Sequence, residues 1–144
     1  MSTITKKVQT NNQLFQEYDT SKFLLGFNSF INADLTASGA DVATLQGLVM
    51  GRISATQKIV ALDKDATDGS QYPVGVCVID KIVADGTTEN LTLVNKGRIA
   101  ESKINFADVE TLNTVVGTKI LRDWLNDLGL ILETGTELTK VDNS

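Results

Sequence analysis

The 144-residue chain has no histidine. This removes the commonest general base and the commonest metal ligand, and with them the Ser-His and Cys-His nucleophile pairs. Cys77 is the only cysteine, which excludes an internal disulfide and a multi-cysteine zinc site. Its position between Val76 and Val78 in an apolar run marks it as a small core residue rather than a nucleophile. Ser102 and Lys103 are adjacent, and alternation along a strand would send their side chains to opposite faces, so they do not form a catalytic pair. Asp123 and Asp127 stand one helical turn apart and read as solvated carboxylates. Asp63-Lys64-Asp65-Ala66-Thr67-Asp68-Gly69 invites comparison with a calcium loop, which needs glycine at its sixth position and glutamate at its twelfth. Counted from Asp63, the glycine is seventh and the twelfth residue is Val74. Neither G-x-G-x-x-G nor G-x-x-x-x-G-K occurs, so no phosphate loop is expected. These residue types predict a chain that is no enzyme and takes no cofactor or metal.

Apolar residues make up 42% and charged residues 22% of the chain, as in an ordinary globular protein of one domain. Thirteen basic residues against eighteen acidic ones give a formal charge of -5. Lys6-Lys7 is the one local basic pair, and without a basic stripe to release counterions, nucleic acid is not expected as a direct partner. No stretch approaches the roughly 20 apolar residues of a membrane helix. The N-terminal lysines precede no apolar h-region, so synthesis in a reducing cytoplasm is the expectation.

The elements that organise this chain lie between Leu45 and Ile104. Turn chemistry at Asp68-Gly69-Ser70 leads into Pro73-Val74-Gly75-Val76-Cys77-Val78-Ile79, a run apolar on both faces and therefore the central strand of a small β-domain. Strands are expected at Leu48–Ile53, Lys58–Leu62, Lys81–Val83, Leu91–Val94 and Leu130–Leu132. Turns are expected at Asp85-Gly86 as a hairpin and at Asn95-Lys96-Gly97. Phe23 to Asp34 reads as short extended pieces around Gly26 and Asn28. Val109, Leu112, Val116, Ile120, Trp124 and Leu128 recur at three- and four-residue steps. They predict one helix over residues 108–128, capped by Asp108, stopped by Gly129 and burying Trp124. Met1 to Lys22 carries large apolar residues only at Ile4, Val8, Leu14, Phe15 and Tyr18 after the initiator. The spacing supports no regular period, so the segment reads as an arm that is frayed alone or orders on a partner.

Three segments taken together carry a resemblance. Val49-Met50-Gly51-Arg52-Ile53-Ser54-Ala55-Thr56 comes first, followed by Ala66-Thr67-Asp68-Gly69-Ser70-Gln71 with Pro73-Val74-Gly75-Val76. Gly97-Arg98-Ile99-Ala100-Glu101-Ser102 completes the series. In this order and spacing the chain resembles the lambda-type bacteriophage head decoration proteins, from Phe23 to Glu133. The resemblance implies a mainly β fold: a small β-clip or compact barrel domain with one packed helix, behind a flexible N-terminal arm. It divides the chain into an arm at 1–22, a decoration domain at 23–133 and a polar tail at 134–144.

The resemblance also implies a structural virion protein, made in the host cytoplasm and carried on the outer surface of the phage head. Similar proteins sit as homotrimers at the three-fold and quasi-three-fold sites of the expanded head. There they cement neighbouring subunits of the major capsid protein against the pressure of packaged DNA. The arm orders against the lattice in that family, which assigns Ile4, Val8, Leu14, Phe15 and Tyr18 to capsid binding. The arm here lacks the Pro/Gly richness of the lambda protein, and the tail runs past the family's usual end. A reading of another class, a free β-rich module recognising a host surface glycan or protein, would call for exposed aromatic platforms.

Overall fold

The computed structural model describes residues 23–134. The arm residues Ile4, Val8, Leu14, Phe15 and Tyr18, and the tail after residue 134, lie outside them. Among these residues ten strands, one α-helix and one 3-10 helix follow in order: β1 (Leu24–Thr36), β2 (Val42–Thr44), β3 (Val49–Arg52), β4 (Ile59–Ala61), β5 (Pro73–Cys77), β6 (Lys81–Val83), β7 (Thr88–Ala100), the 3-10 helix (Glu101–Lys103), β8 (Val115–Val116), β9 (Lys119–Ile120), α1 (Leu121–Leu128) and β10 (Leu130–Glu133). The fold is mainly β with one helix, as the sequence implied.

The long strand β7 is the hub. Antiparallel β1 runs along one edge of it, while β5 (Val76 opposite Val94) and parallel β10 (Leu130 opposite Gly97) share the other. The sheet continues from β5 to β3 and β4. On β5, Val76 is fully buried in a core shared with Leu121 and Leu125 of the helix, and Cys77 lies in a second core with Met50, Ile59 and Leu93. The central strand is therefore apolar on both faces, as its composition indicated. One departure is Val74, which packs with the Cys77 core. The register shifts there, Met50 pairing with Gly75 and Gly51 with Pro73, so Val74 is the extra residue of a bulge.

Of the expected β-clip or compact barrel, the closed form is not seen: the sheet is open among the described residues. Strands β1 and β4 end the sheet on its two sides and approach within 8 Å between Cα atoms, yet they are not paired. A side chain bridges them instead: Lys58 Nζ, just before β4, donates to Thr36 Oγ1 at 2.8 Å.

The helix is shorter than its apolar periodicity suggested, covering Leu121–Leu128 rather than 108–128. Val115-Val116 and Lys119-Ile120 form a hairpin instead, with Gly117 at φ +66° in the turn. Two β-branched valines before a glycine favour that turn over a helix interior. Asp108 caps nothing in the helix. The amides of Leu121 and Arg122 are satisfied by the carbonyls of Thr114 and Leu112, at 2.9 and 3.0 Å. Gly129 ends the helix at φ +112°, as expected.

The turn expected at Asp85-Gly86 is present, with Thr87 N–H donating to the Ala84 carbonyl at 3.0 Å, but it closes no hairpin, because β6 pairs with β2 and β7 with β1. Asn95-Lys96-Gly97 stays inside β7, where a glycine at φ +106° lets the bulged part of β1 cross it closely. Phe23 to Asp34, expected in pieces, lies almost wholly within one strand of 13 residues.

Candidate docking site

The family-like segments are packed into one another. A Cβ on Gly51 would sit 2.2 Å from the carbonyl oxygen of Ser70, and one on Gly69 would sit 2.4 Å from Ser54 Oγ. Ser54 N–H donates to the Asp68 carbonyl at 2.8 Å. The first two segments thus form one interlocked unit, and its residues are committed to structure.

The acidic turn is held by its own side chains. Asp68 Oδ1 accepts from the Ser70 amide at 3.0 Å and the Ser70 hydroxyl at 2.6 Å, and these bonds hold its carboxyl below the usual range. Asp63 Oδ1 accepts from the Asp65 amide at 3.0 Å. Glu110, almost fully buried, accepts from the Lys64 amide at 3.0 Å and so ties the loop to a segment 46 residues away. Among the described residues no group of three carboxylate or thiol ligands could hold a metal ion. Burial pushes the Cys77 thiol up to about 12, which leaves it protonated and unreactive at neutral pH. No described helix is long and apolar enough to cross a membrane.

Aromatic side chains divide into two groups. Trp124, expected in the core, is only half-buried; its Nε1–H donates to the Val116 carbonyl at 2.8 Å. The Tyr72 ring lies 4.9 Å away between centroids, and Lys119 Nζ stands 4.2 Å from the Trp124 ring centre. With a cation and a second ring already against it, Trp124 is occupied within the chain and is no open platform for a sugar.

Phe27 behaves in the opposite way. It is 92% exposed and has a left-handed backbone at φ +54°, a conformation that costs a bulky residue about 1–2 kcal/mol. The bulge that holds it is built by Asn28, whose Oδ1 accepts from the Gly26 amide at 3.1 Å. Its Nδ2 donates to the Arg98 carbonyl at 3.1 Å. Gly97 makes the crossing possible, since a Cβ there would meet the Phe27 carbonyl oxygen at 2.5 Å. Phe30, on the same strand, is 48% exposed. The sequence reading singled out neither phenylalanine. The signal available was the Gly-Phe-Asn triplet, a bulge composition inside an apolar run.

Beside the open edge of the sheet lies a groove of about 420 Å³ floored by Leu35, Val42, Ile53 and Val60, with Asp63 and Asp68 at its rim. It has no local signature in the chain, because it is assembled from four separate segments. The structure therefore supplies two surface features, an exposed aromatic knob at the root of the arm and an apolar groove, and no arrangement of groups for catalysis among the described residues.

No curated protein matches the chain. A sequence model of the family described as bacteriophage lambda head decoration protein D matches residues 23–117. That span is well over half of the chain and contains all three family-like segments, β1 with its bulge, and the groove. A structural family of the phage head accounts for a molecule whose most distinctive residues serve packing and whose surface presents an apolar knob, and the chain belongs to the bacteriophage lambda head decoration protein D family.

Proposed function

We propose that the protein is a capsid cement: a homotrimer that binds the outside of the expanded phage head at three-fold and quasi-three-fold sites. Its partner there is the major capsid protein of the same phage, which it clamps against the pressure of packaged DNA. The observation that carries this reading is the family match over residues 23–117. The negative charge of the chain suits a position away from the genome.

The mechanism is multivalent attachment. Each subunit brings the arm, with Ile4, Val8, Leu14, Phe15 and Tyr18, to one lattice site, and Phe27 stands only four residues past the end of Phe23. A strained, exposed aromatic at the root of the arm is the kind of side chain that anchors an interface. Three tethered contacts make the second and third effectively intramolecular, so modest contacts sum to firm attachment.

Cosedimentation with purified expanded shells of its own phage tests this reading. Saturable binding near one trimer per three-fold site is the expected result. Absence of binding to any expanded shell from that phage would overturn it.

A further inference from the structure

The groove between β1 and β4 carries a charge pattern above its apolar floor. Asp63 and Asp68 at the rim have no Lys or Arg within ion-pair distance among the described residues. Each has one oxygen engaged within its own loop, Asp63 by the Asp65 amide and Asp68 by Ser70, and the second oxygen of each is left for another donor. At the Thr36 wall stands Lys58, just before β4, whose ammonium group donates to Thr36 Oγ1 at 2.8 Å and has no carboxylate within ion-pair distance among the described residues. The two ends of β4 thus bear opposite charges.

Between those ends the main chain of β4 is half unpaired. Leu62 N–H donates to the Val49 carbonyl at 3.2 Å and Ile53 N–H to the Lys58 carbonyl at 2.9 Å. Residues 58, 60 and 62 therefore face β3, and alternation turns the main-chain groups of Ile59 and Ala61 the other way. On that side β4 has no strand partner among the described residues.

An unpaired edge beside an apolar groove takes an extended chain, whose main chain supplies affinity and whose alternate side chains supply specificity. Aliphatic groups fit the floor of Leu35, Val42, Ile53 and Val60. A lysine or arginine fits at one end, its stem along the floor and its charge at Asp63 and Asp68, while Lys58 repels a cation at the other. The volume of about 420 Å³ lies within the roughly 300–1,000 Å³ of binding clefts, so the groove accepts side chains and not only water.

We propose that this groove docks an extended segment of a second protein, added as a strand at the β4 edge, with aliphatic side chains at alternate positions and a lysine or arginine beside Asp63 and Asp68. Phe27 and Leu35 are eight residues apart on β1, roughly 26 Å at about 3.3 Å per residue, so the site is separate from the aromatic knob. The inference does not rest on the capsid reading, because it uses only the body of the chain.

The test is titration of the ¹⁵N-labelled full-length protein with two end-blocked peptides, Val-Thr-Val-Thr-Lys and Lys-Thr-Val-Thr-Val, which offer the same face in the two strand directions. Amide chemical shifts and hydrogen exchange are followed by NMR. Saturable shifts centred on Ile59, Val60 and Ala61 with at least one peptide, together with slowed exchange of the Ile59 and Ala61 amides, are the expected result. Glutamate in place of the peptide's lysine should weaken binding about tenfold. The double variant Asp63→Asn/Asp68→Asn keeps an oxygen for each bond within the loop and should abolish that discrimination. The proposal is overturned by the absence of saturable shifts up to about 10 mM peptide, by shifts centred away from β4, by equal binding of the lysine and glutamate peptides, or by discrimination that persists in the double variant. It is also overturned if the Ile59 and Ala61 amides are already protected without peptide, which would mean that the edge is filled by the chain itself or, where protection grows with protein concentration, by a second copy.

Discussion

Two regions a short distance apart in the sequence use their unusual residues in opposite ways. In the unit formed by β3 and the turn before β5, glycine at 51 and 69 lets backbone lie against backbone, and the polar side chains of Ser54, Asp68 and Ser70 satisfy one another. At the root of β1, Asn28 and Gly97 hold a bulge that presents Phe27 to water. The first region uses special backbone geometry to close the molecule. The second uses it to expose an aromatic ring. The family match covers both regions, but only the second presents a large apolar side chain that a partner could meet.

The largest effect should come from the closed region. Val76 is fully buried and packs against the helix core, so Val76→Asp places an unpaired charge among apolar groups. Such a change costs several kcal/mol, enough to exceed an ordinary domain's margin. The variant should be unfolded by circular dichroism at 25 °C. A soluble variant with an unchanged melting curve would show that β5 is not central.

Next is Gly51→Ala. Gly51 has an ordinary φ, so the penalty is purely steric: the new Cβ would need to displace a backbone carbonyl 2.2 Å away. About 3 kcal/mol is expected, read as a lowered urea midpoint with unchanged slope. Gly39→Ala is the control, since a Cβ there meets nothing within 4 Å although φ is +93°. It should cost only the backbone term of about 1 kcal/mol. Equal losses in the two variants would undo the claim that the segments interlock.

The same contrast explains what the sequence made legible. Strand β5, the turn before it, β3, β4, β10 and the glycine stop of the helix were readable because each depends on local composition: an apolar run, an Asp-Gly-Ser turn, a glycine in the left-handed region. The parts that were missed depend on tertiary partners. Asn95-Lys96-Gly97 has turn composition but remains in β7, because its glycine receives the β1 bulge. The apolar spacing from Val109 to Ile120 fits a helix, yet Val109 and Val115 are 71% and 64% exposed and the stretch forms a loop and hairpin. Neither the groove nor the prominence of Phe27 has a one-dimensional signature. The arm residues proposed for docking lie outside the described residues, and their assignment rests on family resemblance alone.

Trp124→Ala should fall between the two regions. The ring is half-buried and tied to Val116, Tyr72 and Lys119, so about 2 kcal/mol is expected rather than the 3–5 kcal/mol of a fully buried aromatic. Native tryptophan fluorescence should be partly quenched by iodide. A loss above about 4 kcal/mol would place the ring deeper than the structure does.

A smaller effect is expected from acid. Hydrogen bonds from the Arg122 guanidinium, at 2.7 and 3.2 Å, hold the Glu101 carboxyl below its usual range, and Arg98 does the same for Glu133. A depressed folded pKa gives stability that is present above the unfolded value of about 4.3 and lost as pH falls through the folded value. The melting temperature should therefore decline below about pH 4.3, and Glu101→Gln should lower it slightly at pH 7 while flattening the decline. Both ion pairs are partly exposed, so the change is modest and shrinks in high salt. Parallel pH curves for the variant and the parent protein would remove Glu101 from the account.

The smallest effect on folding should accompany a large one on attachment, at Phe27. Its side chain is 92% exposed and contributes almost nothing to the core, and its φ of +54° is one that asparagine adopts far more readily. Phe27→Asn keeps the bulge and removes the ring, so the urea midpoint should move by less than the equivalent of about 0.5 kcal/mol, in either direction. On expanded shells the proposed trimer would lose one anchor from each of its three subunits at once. If each ring contributes even about 1 kcal/mol, the trimer loses about 3 kcal/mol, roughly a hundredfold in affinity. Cosedimentation across a concentration series reads that shift directly. Attachment equal to the parent protein, with the fold intact, would strip the knob of its role and leave the arm as the docking element near β1. A large loss of stability would instead show that the bulge needs its aromatic ring, and that the two regions differ less than their exposure suggests.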